Sequence, residues 1–214
     1  ASTTHGVPAS LFHNGWAISS NYVNGGFFYG YPIWVGWDYG GPLFFSHYSF
    51  LGFDPREKKD VYRNYFLNNR NITLVHKAYC TANPHNFIGY NANCWGLTAS
   101  DVPGGYNANE PNNDIGVISP TAAISSFPYA PAESMNALKF FYYKLGDKVW
   151  KQYGFVDAFS LKDLWYADSF LAIDQGPEII MIENYRTGLL WNLFTSCPEV
   201  KAGMLGLGFT APYL

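Results

Sequence analysis

The chain has 214 residues, of which 13 are basic and 16 acidic, so its formal net charge is −3. Without a basic run, nucleic acid and anionic membranes are disfavoured as partners, and no apolar run approaches the ~20 residues of a membrane span. Charged residues make up only 14% of the chain, while 17 Tyr and 7 Trp contribute to an aromatic share of 19%. Because Tyr and Trp keep one polar atom in contact with water, this composition favours an aromatic-lined cleft.

The N-terminus and the cysteines restrict the cellular context only weakly. The opening ASTTHGVPAS is not a signal peptide, and a mature secreted chain or an internal fragment would look the same. Three cysteines do not make a disulfide framework, so a Cys80–Cys94 bridge and unpaired buried thiols both stay open. The five histidines lack zinc-ligand spacing, and we expect neither a metal nor another cofactor.

Residues 1–41 are rich in glycine and aromatic residues and have no sustained helical period. Such runs predict short strands or ordered loops around a rim. Trp37 and Asp38 are candidates to face a cleft, and packing under a loop is the alternative for each of them.

Two helices are predicted to follow. Pro42 begins a short apolar helix that ends near Gly52, in which His47 is expected to be a hydrogen-bonded core residue. Apolar residues at three- and four-residue intervals then predict a long helix over about 58–82.

The segment 90–122 is long, irregular and rich in both aromatic and polar residues. Aromatic rings can cover the apolar face of a sugar while carboxylates and amides bond its hydroxyls, so this segment is the best candidate for a sugar-binding site. An ordered surface loop that caps helices is the alternative. The candidate residues are Trp95, Asp101, Tyr106 and Asp114.

The second half of the chain predicts short helices over 120–127 and from Pro131, a long helix from about Gly176, and a terminal helix after Pro198. Before the long helix lies a second aromatic and acidic segment, with Asp157, Trp165, Tyr166, Asp174 and Gln175 as candidate site residues. Substrate contact and helix capping are both open for Asp174. Glu183 and Arg186 are three residues apart, which predicts a buried structural ion pair.

The pattern as a whole predicts one all-α region, a toroid or bundle with its function on the loop side. Two carboxyls in one cleft are what glycosidic cleavage requires, one to protonate the leaving oxygen and one to activate water or attack directly. Serine and cysteine nucleophile motifs and phosphate-binding loops are absent from the sequence.

Several motifs resemble the bacterial glucoamylase-like family, whose relatives include endo-β-1,2-glucanases of glycoside hydrolase family 144 and a region of cyclic β-1,2-glucan synthases. These motifs are NCWGLTASD (93–101), GVISPTAA (116–123), AIDQGP (172–177), MIENYRTGLLW (181–191) and DYGGPLFFSHYSFLGFDP (38–55). The resemblance implies an (α/α)6 toroid that hydrolyses a β-glucan without a metal, with β-1,2-glucan as the candidate substrate.

The resemblance further implies that residues 1–214 are the C-terminal half of a catalytic domain, with the catalytic acids in the preceding half. The loop from Trp95 to Asp101, together with Asp114, Asp174 and Gln175, would then form the wall of a sugar subsite. Half a toroid would expose apolar helix faces, so we expect a complementary chain or an N-terminal half as partner. We also expect a periplasmic or secreted location. The alternative function is a non-catalytic glycan-binding protein with the same cleft.

Overall fold

The computed structural model describes residues 5–19 and 22–214. Helices account for about 42% of the structure, and the described strands form four two-stranded antiparallel hairpins. The expectation of an all-α chain is therefore met only in part, because the segments between the helices contain short strands. The strands are two to six residues long, too short to give a sustained alternation in the sequence.

The N-terminal part combines a π-helical segment, Leu11–Ala17, with a hairpin of β1 (Val23–Phe28) and β2 (Tyr31–Val35). Tyr29 and Gly30 connect the strands, and both have positive φ, the geometry of a turn that matches strand twist. The glycine and aromatic pattern thus correctly indicated strands here, while the π-helical segment has no signature in the sequence.

Two helices follow, α1 (Phe44–Tyr48) and α2 (Tyr65–Ala82). The long helix begins seven residues later than predicted, because Asn64 caps it and accepts a hydrogen bond from Leu67 N at 3.0 Å. Lys59, which was expected to be helical, instead pairs with Thr210 near the C-terminus. His47 is buried and hydrogen-bonds Ser126 Oγ at 2.9 Å, which confirms its predicted core role.

The central segment contains a hairpin and a short helix. Strand β3 (Ala99–Val102) pairs with β4 (Gly105–Ala108), which places Asp101 opposite Tyr106. Helix α3 (Pro120–Ile124) follows and is held to the segment by a hydrogen bond from Ser119 N to Gly96 O at 3.0 Å.

Helix α4 (Pro131–Phe140) continues into a π-helical turn, Phe141–Leu145. Two small hairpins then pair β5 (Trp150–Lys151) with β6 (Gly154–Phe155), and β7 (Phe159–Ser160) with β8 (Trp165–Tyr166). They occupy the second aromatic and acidic segment.

The C-terminal region consists of α5 (Ala172–Arg186), α6 (Leu189–Thr195) and α7 (Pro198–Gly206). Gly188 has a φ of 71° and divides the predicted single long helix in two. The Glu183–Arg186 pair was predicted to be buried, and this is wrong: the Arg186 side chain is 67% exposed. The Arg186 side chain projects from α5 away from the core.

The main core lies between α2, α3 and α4, the loop that carries Trp95 and Leu97, and strand β6 with Phe155. Cys80 and Cys94 are both free and buried within it, so the alternative of unpaired thiols holds for this pair. No described helix is long and apolar enough to cross a membrane.

Candidate functional site

Three aspartates from separate parts of the chain lie together on the loop side. Asp101 lies on β3, Asp157 follows β6, and Asp174 lies in the first turn of α5. Backbone N–H of Asp101 donates to Asp157 Oδ2 at 2.7 Å, and Ser169 Oγ donates to Asp101 Oδ2. Asp157 N–H in turn donates to Ser169 O at 3.1 Å. These bonds fix the β3 hairpin and the segment before α5 around Asp157.

The carboxyls of Asp157 and Asp174 lie close enough to interact, and each has a buried oxygen without a hydrogen-bond donor among the described residues, Asp157 Oδ1 and Asp174 Oδ2. This arrangement is satisfied when one carboxyl carries a proton and donates it to the other. Asp157 is fully buried and Asp174 only 4% exposed. Burial raises the pKa of Asp157 to about 7, and the negative charges of Asp174 and Asp101 add to this rise. The pair therefore retains one proton close to neutral pH, as expected of a carboxyl that serves as a general acid.

Tyr48 and Tyr106 complete the surroundings of the pair. Tyr48 OH, from the end of α1, donates to Asp174 Oδ1 at 2.6 Å, and burial raises the pKa of Tyr48 so that it keeps this proton. Burial also raises the pKa of Asp174, and the bonds from Tyr48 and Asp157 oppose that rise. Tyr106 is 57% exposed and interacts electrostatically with all three aspartates, so its ring offers an accessible aromatic surface beside them.

The structure thus brings together three of the predicted site residues, Asp101, Tyr106 and Asp174, and places a fourth, Gln175, next to them. Gln175 Nε2 donates to Phe155 O at 2.9 Å and so attaches α5 to the β5–β6 hairpin. Asp174 is not the N-cap of α5: Leu171 occupies that position, and the Asp174 carboxylate is bonded by Tyr48 instead.

Two other predicted residues lie elsewhere. Trp95 is 0% exposed within the main core, so its expected contact with a sugar is wrong, because no part of the ring reaches the surface. Asp114 lies beside α2, where its carboxylate accepts bonds from Tyr79 OH, Tyr90 OH and Gly116 N at 2.8–2.9 Å. These three donors give Asp114 a structural role in closing the central loop against α2.

Trp37 lies at a cavity of about 560 Å³ between β2, α1 and α2, and Asp38 is the next residue in the chain. Trp37 is half exposed, lines this cavity and contacts Phe45 edge-on at 5.2 Å. Asp38 is exposed and accepts a hydrogen bond from Asn24 Nδ2 at 2.9 Å. Neither residue contacts the three aspartates.

Sequence reasoning missed the partners that organise the aspartates. Neither Tyr48 nor Ser169 was among the candidate residues. Asp157 was among the candidates of the second segment, but nothing in the sequence showed that it would face Asp174. Within residues 5–19 and 22–214, no group of three or more His, Cys, Asp or Glu side chains is arranged to hold a metal ion.

The molecule is thus a mainly helical domain with a proton-sharing carboxyl pair on its loop side. The chain belongs to the Glycoamylase family, described as "Putative glucoamylase", whose model matches residues 1–198.

Two of its relatives are named for activity on β-1,2-glucans. The chain is 42% identical, over 94% of its length, to an exo β-1,2-glucooligosaccharide sophorohydrolase of Parabacteroides distasonis, of which it covers 30%. It is 49% identical to an endo-β-1,2-glucanase of Chitinophaga pinensis solved with sophorotriose and glucose. That match has a TM-score of 0.94 and covers 98% of this chain and 52% of the other.

A structure described as a "putative glucoamylase" from Bacteroides uniformis is 53% identical, with a TM-score of 0.95. The match covers 97% of this chain and 51% of that one. The chain therefore spans about half of these solved structures and less than a third of the curated relative.

Proposed function

We propose that the chain is the C-terminal half of a glycoside hydrolase that cleaves a β-1,2-glucan by carboxyl acid and base chemistry. The observation that carries this proposal is the carboxyl pair Asp157–Asp174, which holds a proton near neutral pH beside the exposed ring of Tyr106. The 49% identity to an endo-β-1,2-glucanase supports the choice of substrate.

The pair has the properties of the proton donor in glycosidic cleavage. Its proton passes to the oxygen of the glycosidic bond as that bond breaks, so that the leaving sugar departs with a neutral hydroxyl. Asp157 is fully buried, and therefore Asp174, held by Tyr48, is the member that we assign to contact with the glucan. Asp157 positions Asp174 and shares its proton with it, so that Asp174 can pass the proton to the leaving oxygen.

The second carboxyl of the reaction, which activates water or attacks the sugar, is assigned to the preceding half of the protein. Support comes from the length of the relatives, which are about twice as long as this chain. Residues 1–214 then form a single region that completes an (α/α)6 toroid only together with that half. A periplasmic or secreted location stays a prediction made from the resemblance.

The apolar side chains on the surface support the presence of a second half that would cover them. The surface area of 10301 Å² is close to the roughly 9,900 Å² expected for a folded monomer of 24.0 kDa. However, helices α5–α7 expose large apolar side chains at between 47% and 68%, namely Ile173, Ile179, Leu189, Leu193 and Leu205. We assign these exposed apolar side chains of α5–α7 to contact with the N-terminal half.

The full-length protein tests the proposal. With β-1,2-glucan as substrate, we expect release of short gluco-oligosaccharides, and Asp174→Asn should lower kcat by about 100-fold or more because the proton donor is lost. Asp168→Asn is the matched control, since Asp168 is an exposed aspartate of the same segment. Calorimetric binding of the glucan without any product would favour the non-catalytic glycan-binding alternative.

A further inference from the structure

A small cavity of about 10 Å³ lies beside Asp174, lined by residues of α1, α3 and α5 and by Thr98. Its polar lining comes from His47, Tyr48, Thr98, Thr121, Ser125 and Asp174. A volume of about 10–15 Å³ is the space that one buried water needs, provided that two or more polar groups surround it. The cavity meets both conditions.

Two of these lining groups have hydrogen-bonding capacity that the protein does not use. Thr121 Oγ1 is buried and has no hydrogen-bond partner among the described residues. Asp174 Oδ2 is also buried; Tyr48 bonds only Oδ1, and the proton shared with Asp157 uses one acceptor site of Oδ2. Since a carboxylate offers about four acceptor sites, Asp174 can accept a further bond.

The position of Thr121 explains why its hydroxyl has no partner in its own helix. Threonines inside helices can donate to the carbonyl four residues earlier, as Thr195 does to Trp191 O at 2.5 Å and Thr81 does to Lys77 O at 2.7 Å. Thr121 is the second residue of α3, so no helical turn precedes it. Leaving a buried hydroxyl without a partner is unfavourable, which makes a water in this cavity favourable.

We propose that one ordered water binds between Thr121 Oγ1 and Asp174 Oδ2, and that Thr121 is thereby a positioning residue for Asp174. The water accepts a hydrogen bond from the Thr121 hydroxyl. It donates one to Asp174 Oδ2, the carboxyl oxygen that Tyr48 does not reach. Both oxygens of Asp174 are then held from the side of the protein, which fixes the plane of the carboxyl. The water site follows from the geometry alone, whereas its catalytic consequence rests on the function proposed above.

A high-resolution crystal structure of the full-length protein tests the water site directly. We expect an electron-density peak in the cavity, at about 2.6–3.2 Å from both Thr121 Oγ1 and Asp174 Oδ2. In a Thr121→Val structure, which keeps the shape of the side chain but removes the hydroxyl, the peak should be lost. A dry cavity in the wild-type protein overturns the proposal, whether or not the protein acts on glucans.

Kinetics of the full-length protein test the positioning role. Thr121→Val should lower kcat for β-1,2-glucan on the order of tenfold while leaving KM within about twofold, because the loss is of a hydrogen bond that orients Asp174 and not of sugar contact. Thr121→Ser keeps the hydroxyl and should restore kcat.

Thr73→Val is the matched control, since Thr73 Oγ1 is also buried without a partner but does not line the cavity. Equal kcat values for Thr121→Val and Thr73→Val, with equal melting temperatures, would overturn the positioning role. If the wild-type protein hydrolyses no β-1,2-glucan, the proposed function fails, and the crystallographic result still decides the water site.

Discussion

Asp157 is the most completely buried acidic group of the site. It has no exposed surface, it accepts a hydrogen bond from Asp101 N–H, and it faces a second carboxyl. Burial penalises its charged form most, so that the protonated form is the stable one in the folded protein. The same property that suits the residue to hold a proton makes its ionisation unfavourable for folding.

Protein stability should therefore depend on pH through Asp157. Its pKa is about 7 when folded but about 3.9 in an unfolded chain, so the unfolded state releases the proton first as pH rises. The contribution is fully present below about pH 4 and is lost as pH rises to about 7, a change of roughly 2–4 kcal/mol.

Asp157→Asn isolates this effect, because an amide can still accept from Asp101 N–H and donate to Asp174. Melting temperatures of the full-length protein between pH 4.5 and 7.5 should fall with pH in the wild type and fall less in the variant. The variant for comparison is Glu178→Gln, which removes a second acid whose pKa burial raises to about 7. Identical pH slopes for wild type and Asp157→Asn would contradict the prediction.

Gly96 links the central loop to α3 and tolerates no side chain. Its φ is 129°, and a Cβ would lie 2.8 Å from Ser119 O and 3.0 Å from Ala123 N, both backbone atoms. Gly96→Ala should destabilise the protein by about 2 kcal/mol or more, measured by chemical denaturation. Gly105→Ala, where nothing lies within 4 Å and φ is not positive, should leave stability within about 0.5 kcal/mol. Equal stabilities of the two variants would show that α3 can move aside.

At the scale of elements, the β5–β6 hairpin lies directly beside the acid pair. Trp150 is 45% exposed, contacts Phe155 and Tyr142 edge-on, and is separated from Gln175 only by Gly154. A Cβ on Gly154 would lie 3.9 Å from Gln175 Oε1 and 4.0 Å from Trp150 Cζ3. The Trp150 ring therefore lies near Gln175, the residue that follows Asp174 in the chain.

We expect Trp150 to stack on a sugar residue of the bound glucan. Trp150→Ala in the full-length protein should weaken binding of β-1,2-gluco-oligosaccharides about fivefold in Kd, equivalent to about 1 kcal/mol. Tyr143→Ala is the control, because Tyr143 is 74% exposed on the preceding turn. Calorimetry on both variants measures the difference, and a similar loss in each would argue against a specific stacking role.

The elements could be predicted from the sequence where a local signal decides them. Helix α2, the short helix from Pro42 and α4 follow from apolar spacing and proline positions. The start of α2 was wrong because the apolar pattern continues through Val61, which is 79% exposed in the structure. The hairpins of two-residue strands are defined by their pairing in space, which no local pattern encodes.

The site shows the same division. Asp101, Tyr106 and Asp174 could be selected as short acids and aromatic residues in irregular segments. Their assembly could not, since Asp101, Asp157 and Asp174 belong to segments joined by long-range hydrogen bonds such as Asp101 N to Asp157 Oδ2. Trp95 has the composition signal of a sugar platform, but tertiary packing places it in the core.

For the whole molecule, the exposed apolar side chains of α5–α7 lead to a prediction about solution behaviour. Residues 1–214 alone should self-associate, because several large apolar side chains of these helices are about half to two-thirds exposed. Size-exclusion chromatography should show oligomers or aggregates for this chain, and a monomer when the N-terminal half of the protein is present. A dispersed, folded monomer of residues 1–214 would show that these side chains need no cover.

The junction at Asp157, where the β3 hairpin, the loop after β6 and the start of α5 meet, makes the chemistry an all-or-none property. Detaching any one of these segments separates its carboxyl from the others. Partly unfolded molecules should therefore have no activity at all, not a reduced activity. Heat inactivation of the intact enzyme would then follow the loosening of this junction, even while the remaining helices stay wound.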